Sequence, residues 1–305
     1  MASVVPVEDL NVVAIGEVLW DLIGEERHLG GAPFNFAYHA HAFGATGSLI
    51  SRVGRDDLGS LIRNRAEEIG LPRDYIQVDP VRPTGTVPVT LGAGGTASYE
   101  ITPEVAWDYI EFYDGDRYLL DKADILCFGT LAQRSAISRT SIQAALASAP
   151  ANCLRVCDIN LRPPHYDEQV LRSTLELTDV LKLNEGELAA MRPKLGLPAN
   201  EIDAVQDLIQ KFDIATVVLT RGPMGAEAWS KGEHAASEGV KVEVKDTVGS
   251  GDAFTAAFVL HLATGHSLRD SLRKANLAGA YVATQAGGTP AISHDVLRRF
   301  EREGS

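Results

Sequence analysis

The sequence predicts an α/β fold: an open, mostly parallel sheet flanked by helices, with a small β-sheet lid. Three observations carry that expectation. Short apolar runs of strand length alternate with segments of helical periodicity, the pattern of βα units that feed a parallel sheet. One region, Tyr75 to Ile101, departs from this rhythm and alternates apolar with polar residues, as hairpin strands do. Polar residues also gather directly after the predicted strands, where open parallel sheets bind their ligands.

Taken in order, "NVVAIGEVLWDLI" predicts a first strand that continues into a second extended stretch. Phe34 to Phe43 follows as a helix, "TGSLISRVG" as a strand and Leu58 to Ile69 as a helix. Within the irregular region, "YIQV", "TGTVPVTL" and "ASYEI" predict lid strands, with "GAGG" as the turn between the last two. An edge extension of the main sheet is the alternative reading of that segment. "ADILCFGT", "LRVCDIN", "DVLKLN" and "IATVVLT" are short buried strands. Three helices close the chain: Asp252 to Ala263, Leu268 to Thr284, and one running to Arg302 with Ser293 as N-cap. With no 20–50-residue repeat and no low-complexity linker, residues 1–305 are expected to form one domain, its lid built from parts of about 15–30 and 75–103.

Charge excludes some partners. A net charge of −13 and a pI near 5.1 lack the basic footprint that a nucleic acid or an anionic membrane requires. The same charge repels anionic substrates at long range, so a phosphate site would rely on local N–H groups, a few cations or Mg²⁺. No apolar run approaches the ~20 residues of a membrane span, and "MASVVPVEDLN" has no leader pattern. Cys127, Cys153 and Cys157 match no zinc spacing and are expected as buried, reduced thiols in a cytoplasmic protein.

The most informative stretch is "DTVGSGDAF". Gly249, Ser250 and Gly251 open a helix where their small size leaves backbone N–H groups converging on one point, and the helix dipole adds positive charge there. Such a start suits a phosphoryl group in transfer, and Asp252 in the first turn can accept the proton of an attacking hydroxyl. The dipole is expected to keep Asp252 ionised, hence a weak base. The bland alternative is a glycine-rich cap with Asp252 as a dipole-complementing carboxylate. "GGAPFNFA" is likewise either a plain turn and cap or a binding element. In the second reading a ligand approaches the Gly31 backbone closely, and the Asn35 amide meets a hydroxyl. Further strand-end polar residues are Asp21, then Asp158, Asn160 and Arg162, then Asn184 and Glu187, then Thr220, Arg221 and Gly222. A P-loop, the protein-kinase signatures and a dinucleotide fingerprint are all missing; "GAGGTAS" fails the last of these.

In this order "GEVLWDLI", "LGGAPFNFAYHAHAFGA", "RVGRDDLG", "DINLRP", "LNEGEL", "TRGPMGA", "DTVGSGDAF" and "AGGTPA" resemble the motifs of the ribokinase-like, phosphofructokinase-B-type carbohydrate kinases over nearly the whole chain. The resemblance implies ATP as phosphoryl donor, Mg²⁺ as cofactor and an alcohol acceptor. It implies Asp252 as base, with the Gly249, Ser250 and Gly251 amides as anion hole, and Asp21, Gly31 and Asn35 as sugar contacts. Asn184 and Glu187 match the element that organises Mg²⁺ and phosphate through waters. Thr220, Gly222 and Gly225 match the nucleotide loop, with Asn276 near the adenine. Asp246, Val248 and the backbone near Gly287 resemble a monovalent-cation site, K⁺ being the candidate. The resemblance also leaves open a homodimer clasped through the lid.

Among these kinases the motifs look most like fructokinase-type members, so the expected reaction is phosphorylation of a primary hydroxyl of a neutral sugar, fructose first. From Pro83 to Asp116 there is no Lys or Arg, as a neutral sugar allows and a sugar acid would not favour, although Arg162 could supply a charge. "LGAGG" departs from the usual lid pattern, with Gly92 where an Asp is common. A 2-keto-3-deoxygluconate, ribose or nucleoside kinase on the same scaffold, or a catalytically silent sugar-binding relative, remains as an alternative.

Overall fold

The structure is a computed structural model that describes residues 5–91, 97–230 and 232–303. The N-terminal part runs β1 (Asn11–Ile15), β2 (Leu19–Ile23), β3 (Glu26–Gly30), α1 (Ala32–Ala42), β4 (Thr46–Gly54), α2 (Asp57–Glu68), β5 (Ile76–Asp79), β6 (Thr86–Leu91) and β7 (Ala97–Tyr99). It continues with α3 (Asp114–Leu120), β8 (Ile125–Phe128), α4 (Ala136–Ser148), β9 (Leu154–Asp158), α5 (Glu168–Leu175), β10 (Val180–Asn184), α6 (Glu185–Leu195) and α7 (Glu201–Phe212). The chain ends with β11 (Thr216–Thr220), β12 (Ala226–Ser230), β13 (Glu233–Ser237), α8 (Ser250–Ala263), α9 (Leu268–Ala283) and α10 (His294–Glu303).

Nine strands form the main sheet in the order β13-β12-β11-β10-β9-β8-β1-β4-β5. All neighbours from β11 to β5 pair in parallel; β12 and β13 add an antiparallel edge. The central strands are buried on both faces, which is why they are written as near-continuous apolar runs. Their period of two sends alternate side chains to opposite layers. Val156, Val180 and Val218 join a core with α1, α8 and α9. Cys157, Leu181 and Val217 join a second core with α4, α5, α6 and α7. Helix α8, buried from Ala253 to Leu260, is apolar all round because it packs on α1, α9 and the sheet together.

The small sheet has the order β3-β2-β6-β7 and forms the lid. Trp20 on β2 ties it to the body, its Nε1–H donating to the Leu58 carbonyl of α2 at 3.1 Å.

One expectation about the lid needs correction. The segment Tyr75 to Asp79 is not a lid strand: β5 pairs with β4 as the edge of the main sheet, Ser51 opposite Ile76 through Gly54 opposite Asp79. Ile76 and Asp79 are buried there, and the alternation that looked like a hairpin is that of an edge strand. The "GAGG" turn, Gly92 included, lies outside the described residues. Cys127, Cys153 and Cys157 are buried and unpaired. Among the described residues no helix is long and apolar enough to cross a membrane.

Candidate active site

Because the central strands run in parallel, their carboxyl ends meet on one side. Asp158 ends β9, Asn184 ends β10 and Thr220 ends β11. Two clefts open there. The first, about 570 Å³, is lined by Glu17, Asp21, Gly31, Asn35, Arg162 and Asp252. The second, about 810 Å³, is lined by Asn184, Thr220, Gly222, Gly225 and Asn276. Lys182, Thr247 and Gly251 line both, so the clefts meet over the start of α8.

Gly249 caps α8 at φ 75, in the left-handed region that glycine tolerates. A Cβ on it would lie 2.2 Å from the Gly288 carbonyl oxygen. The residues after it open the helix, so their amides have no acceptor within the helix itself. Of the three expected anion-hole amides, Ser250's already donates to the Thr247 carbonyl at 3.3 Å. The Ser250 hydroxyl turns away and donates to the Gly279 carbonyl at 3.0 Å, fastening α8 to α9.

Asp252, one residue further in, receives the Asn35 Nδ2–H on Oδ2 at 2.8 Å. The expectation that the dipole holds it ionised is wrong. Loss of water at the cleft floor, reinforced by the Asp158 charge, outweighs the Asn35 bond, Lys182 and Arg162, and pushes its pKa up to about 7.

Gly31, at φ 109, is required by the crossing of its own chain: a Cβ would lie 2.5 Å from the Glu17 carbonyl oxygen. Asn35 is buried and its Oδ1 has no hydrogen-bond partner, an unusual state for a buried amide and one that a ligand hydroxyl would relieve. Asp21 stands on the lid strand β2, its proton affinity raised by burial. Arg162 is exposed at the rim of the first cleft. Behind these residues, His39 is fully buried with Nε2 2.9 Å from the Gly288 carbonyl oxygen. Burial depresses its pKa to about 4, so the neutral ring donates that bond and holds the Gly287–Gly288 loop against α1.

In the second cleft Asn184 caps α6, its Oδ1 accepting from the Glu187 amide at 2.9 Å while Glu187 Oε2 accepts from the Asn184 amide at 2.8 Å. Glu187 Oε1 accepts from the Leu161 amide at 3.1 Å. With both oxygens accepting backbone amides and the residue buried, Glu187 lies behind the residues that line the cleft. Gly222 and Gly225 turn the loop after β11 at φ 53 and 101. Arg221 also lines this cleft, its guanidinium paired with Glu185, Glu201 and Glu227. Asn276 donates to the Ser237 and Glu238 carbonyls at 3.1 Å, and so fixes the far wall. Asp246 joins two loops, accepting from the Val248 amide at 3.0 Å and the Gly287 amide at 2.9 Å. It therefore ties together the backbone in which a monovalent cation was expected.

Residues 9–295 match the model of the pfkB family carbohydrate kinases. The chain belongs to this family. A fructokinase of Escherichia coli is 29% identical to it over 300 residues, covering 92% of this chain and 96% of that protein. The structure of a fructokinase with bound ATP from Xylella fastidiosa superposes with a TM-score of 0.86 at 22% identity, over 96% of this chain and 98% of that one. A Vibrio cholerae fructokinase in a fructose, ADP and calcium-bound form gives 0.80 at 25%, over 96% and 99%.

Two features of this pfkB kinase's site escaped the sequence reading. Glu17, 2% exposed, lines the first cleft, and its Oε2 has no hydrogen-bond partner. Burial raises its proton affinity. The second is a buried ion pair between register partners on β9 and β10, with Lys182 Nζ 3.0 Å from Asp158 Oδ1. A lysine inside the apolar run "DVLKL" was the available signal, since lysine is seldom buried without a partner.

Proposed function

We propose that this kinase transfers the γ-phosphoryl group of ATP to a primary hydroxyl of a neutral sugar, with fructose the first candidate. The observation that carries the reading is the meeting of the two clefts at Lys182, Thr247 and Gly251, next to Asp252. A sugar in the first cleft and a nucleotide in the second would bring hydroxyl and phosphoryl group together over the α8 N-terminus. The first cleft carries four carboxylates, Glu17, Asp21, Asp158 and Asp252, against Arg162 and Lys182. Such a lining accepts hydrogen bonds from hydroxyls and disfavours a substrate carboxylate. The names of the fructokinase relatives support fructose.

In this reading the hydroxyl oxygen attacks the γ-phosphorus and its proton passes to Asp252. The bond to the bridging oxygen breaks with its electron pair leaving on ADP. A carboxylate with pKa near 7 is a better base than a dipole-depressed one, and it is still ionised in a large share of molecules at neutral pH. Asn35 orients it, while Gly251, where a Cβ would lie 3.2 Å from Lys182 Nζ, would let the phosphoryl group approach the backbone. Mg²⁺, when bound with the nucleotide, neutralises phosphate charge. Asn184 and Glu187 would hold its waters, and Asp246, Val248 and Gly287 would frame a K⁺ site.

A substrate panel read by ADP release tests the proposal, with fructose, ribose, 2-keto-3-deoxygluconate and adenosine as acceptors. The expected result is the highest kcat/KM for fructose. Exposed Arg162 at the rim is the feature that favours an acidic sugar, and preferential turnover of 2-keto-3-deoxygluconate would select that reading. Absence of ADP release with every acceptor would leave a silent sugar-binding protein.

A further inference from the structure

Lys182 occupies the third position of β10, and strand alternation turns it toward α8 rather than toward the opposite core. Its Nζ lies 3.0 and 3.1 Å from the two Asp158 oxygens, and its side chain keeps 11% of its exposure. Asp158 is held from a second side, because the Thr255 hydroxyl of α8 donates to Oδ2 at 2.8 Å. Burial disfavours the charged ammonium. The charges of Asp158, Glu187 and Asp252 reverse that and hold its pKa above the usual value.

A purely structural ion pair has no reason to border ligand space, and apolar replacement of such pairs is often neutral or stabilising. This one borders both clefts. A Cβ built on Gly251, in the first turn of α8, would lie 3.2 Å from Lys182 Nζ. The ammonium therefore reaches the point where the clefts meet and the helix amides begin. It has three N–H donors, and the Asp158 carboxylate does not exhaust them.

We propose that Lys182 contacts the transferring phosphoryl group at this junction and that Asp158, with Thr255, holds it in position. The inference rests on the phosphoryl-transfer reading above and adds a fixed cation to it. During transfer the charge on the equatorial phosphoryl oxygens is met by an ammonium already in place, so little reorganisation is needed. Lys182 keeps its proton throughout; the hydroxyl proton goes to Asp252 and the leaving electron pair to ADP. Asp158 is a positioning residue here, since it acts through Lys182.

The test is equilibrium binding of ATP and of ADP, with Mg²⁺ and no sugar acceptor, to Asp252→Asn protein, in which transfer is slowed. Adding Lys182→Met to that protein should weaken ATP about tenfold or more and ADP less than about threefold, because only ATP carries the γ-phosphoryl group. Lys182→Met leaves Asp158 buried without its cation. The charge-neutral pair Asp158→Asn with Lys182→Met is therefore measured beside it, after thermal unfolding shows that both fold. Equal weakening of ATP and ADP, or no change in either, overturns the role of Lys182. Sugar-dependent ADP release by the unaltered protein tests the kinase reading separately, so a turning-over enzyme whose Lys182 variants keep their preference for ATP over ADP refutes this inference alone.

Discussion

Asn35 and Asp252 stand 217 residues apart in sequence, and their side chains meet at 2.8 Å across the first turns of α1 and α8. One Asn35 atom, Nδ2, is committed to the carboxylate; the other, Oδ1, is buried and unsatisfied. The bond favours the charged form of Asp252 against burial and the Asp158 charge.

Asn35→Ala should therefore raise the proton affinity of Asp252 further. The ascending limb of kcat/KM against pH should move to higher pH, with kcat/KM lowered by roughly 10–100-fold at neutral pH. A pH profile of the variant beside that of the unaltered protein checks this, and an unmoved limb would count against the coupling.

In the unaltered enzyme that limb should lie near pH 7, from the pKa of about 7 for Asp252 in the ligand-free protein. Activity that stays flat as pH falls through 7 would separate Asp252 from proton transfer.

Asp252→Asn should lower kcat by about 10²–10⁴-fold and also stabilise the fold. The sign follows from linkage. A carboxyl whose pKa is raised on folding binds more protons folded than unfolded, so its ionisation costs stability as pH rises from about 4 to 7. Removing the charge should return about 1–2 kcal/mol at pH 8, water in the cleft screening the rest, and less at pH 5.5. Urea unfolding at the two pH values is the measurement.

Gly249→Ala should cost on the order of 2–4 kcal/mol and most of the activity, because the added methyl meets the Gly288 carbonyl oxygen at 2.2 Å and φ is 75. A denaturation midpoint matching that of the unaltered protein would contradict the packing described here.

His39 gives the opposite pH dependence from Asp252. Its pKa is lowered from 6.5 to about 4, so the unfolded chain binds the extra proton and stability falls as pH drops from about 6.5 toward 4. The full effect is at most about 3 kcal/mol. His39→Gln, which can still donate to Gly288, should show a shallower decline across that window.

Much of the site was legible because its residues leave local marks. The glycines before Asp252, the polar strand ends at Asp158, Asn184 and Thr220, and the Gly31–Asn35 turn are all visible over a few positions. What was missed depends on distance. Tyr75 to Asp79 alternates as a lid strand would, and only its pairing with β4 assigns it to the main sheet. The proton affinity of Asp252 was misjudged because the helix dipole is written locally, whereas the Asp158 charge and the lost water arrive with the tertiary structure. Glu17 stands unmarked inside "NVVAIGEVLWDLI", and only the fold buries it and leaves an oxygen without a partner.

The anchorage of the lid has an optical consequence. Trp20 and Asp21 are neighbours on β2; one grips α2 through the Leu58 carbonyl and the other lines the first cleft. A ligand that pulls on Asp21 strains the strand carrying a fluorophore. The chain has only two other tryptophans, Trp107 and Trp229, and neither is on β2. With those two changed to phenylalanine, the emission of Trp20 becomes a built-in gauge of lid position, readable without a label and on the timescale of a single turnover.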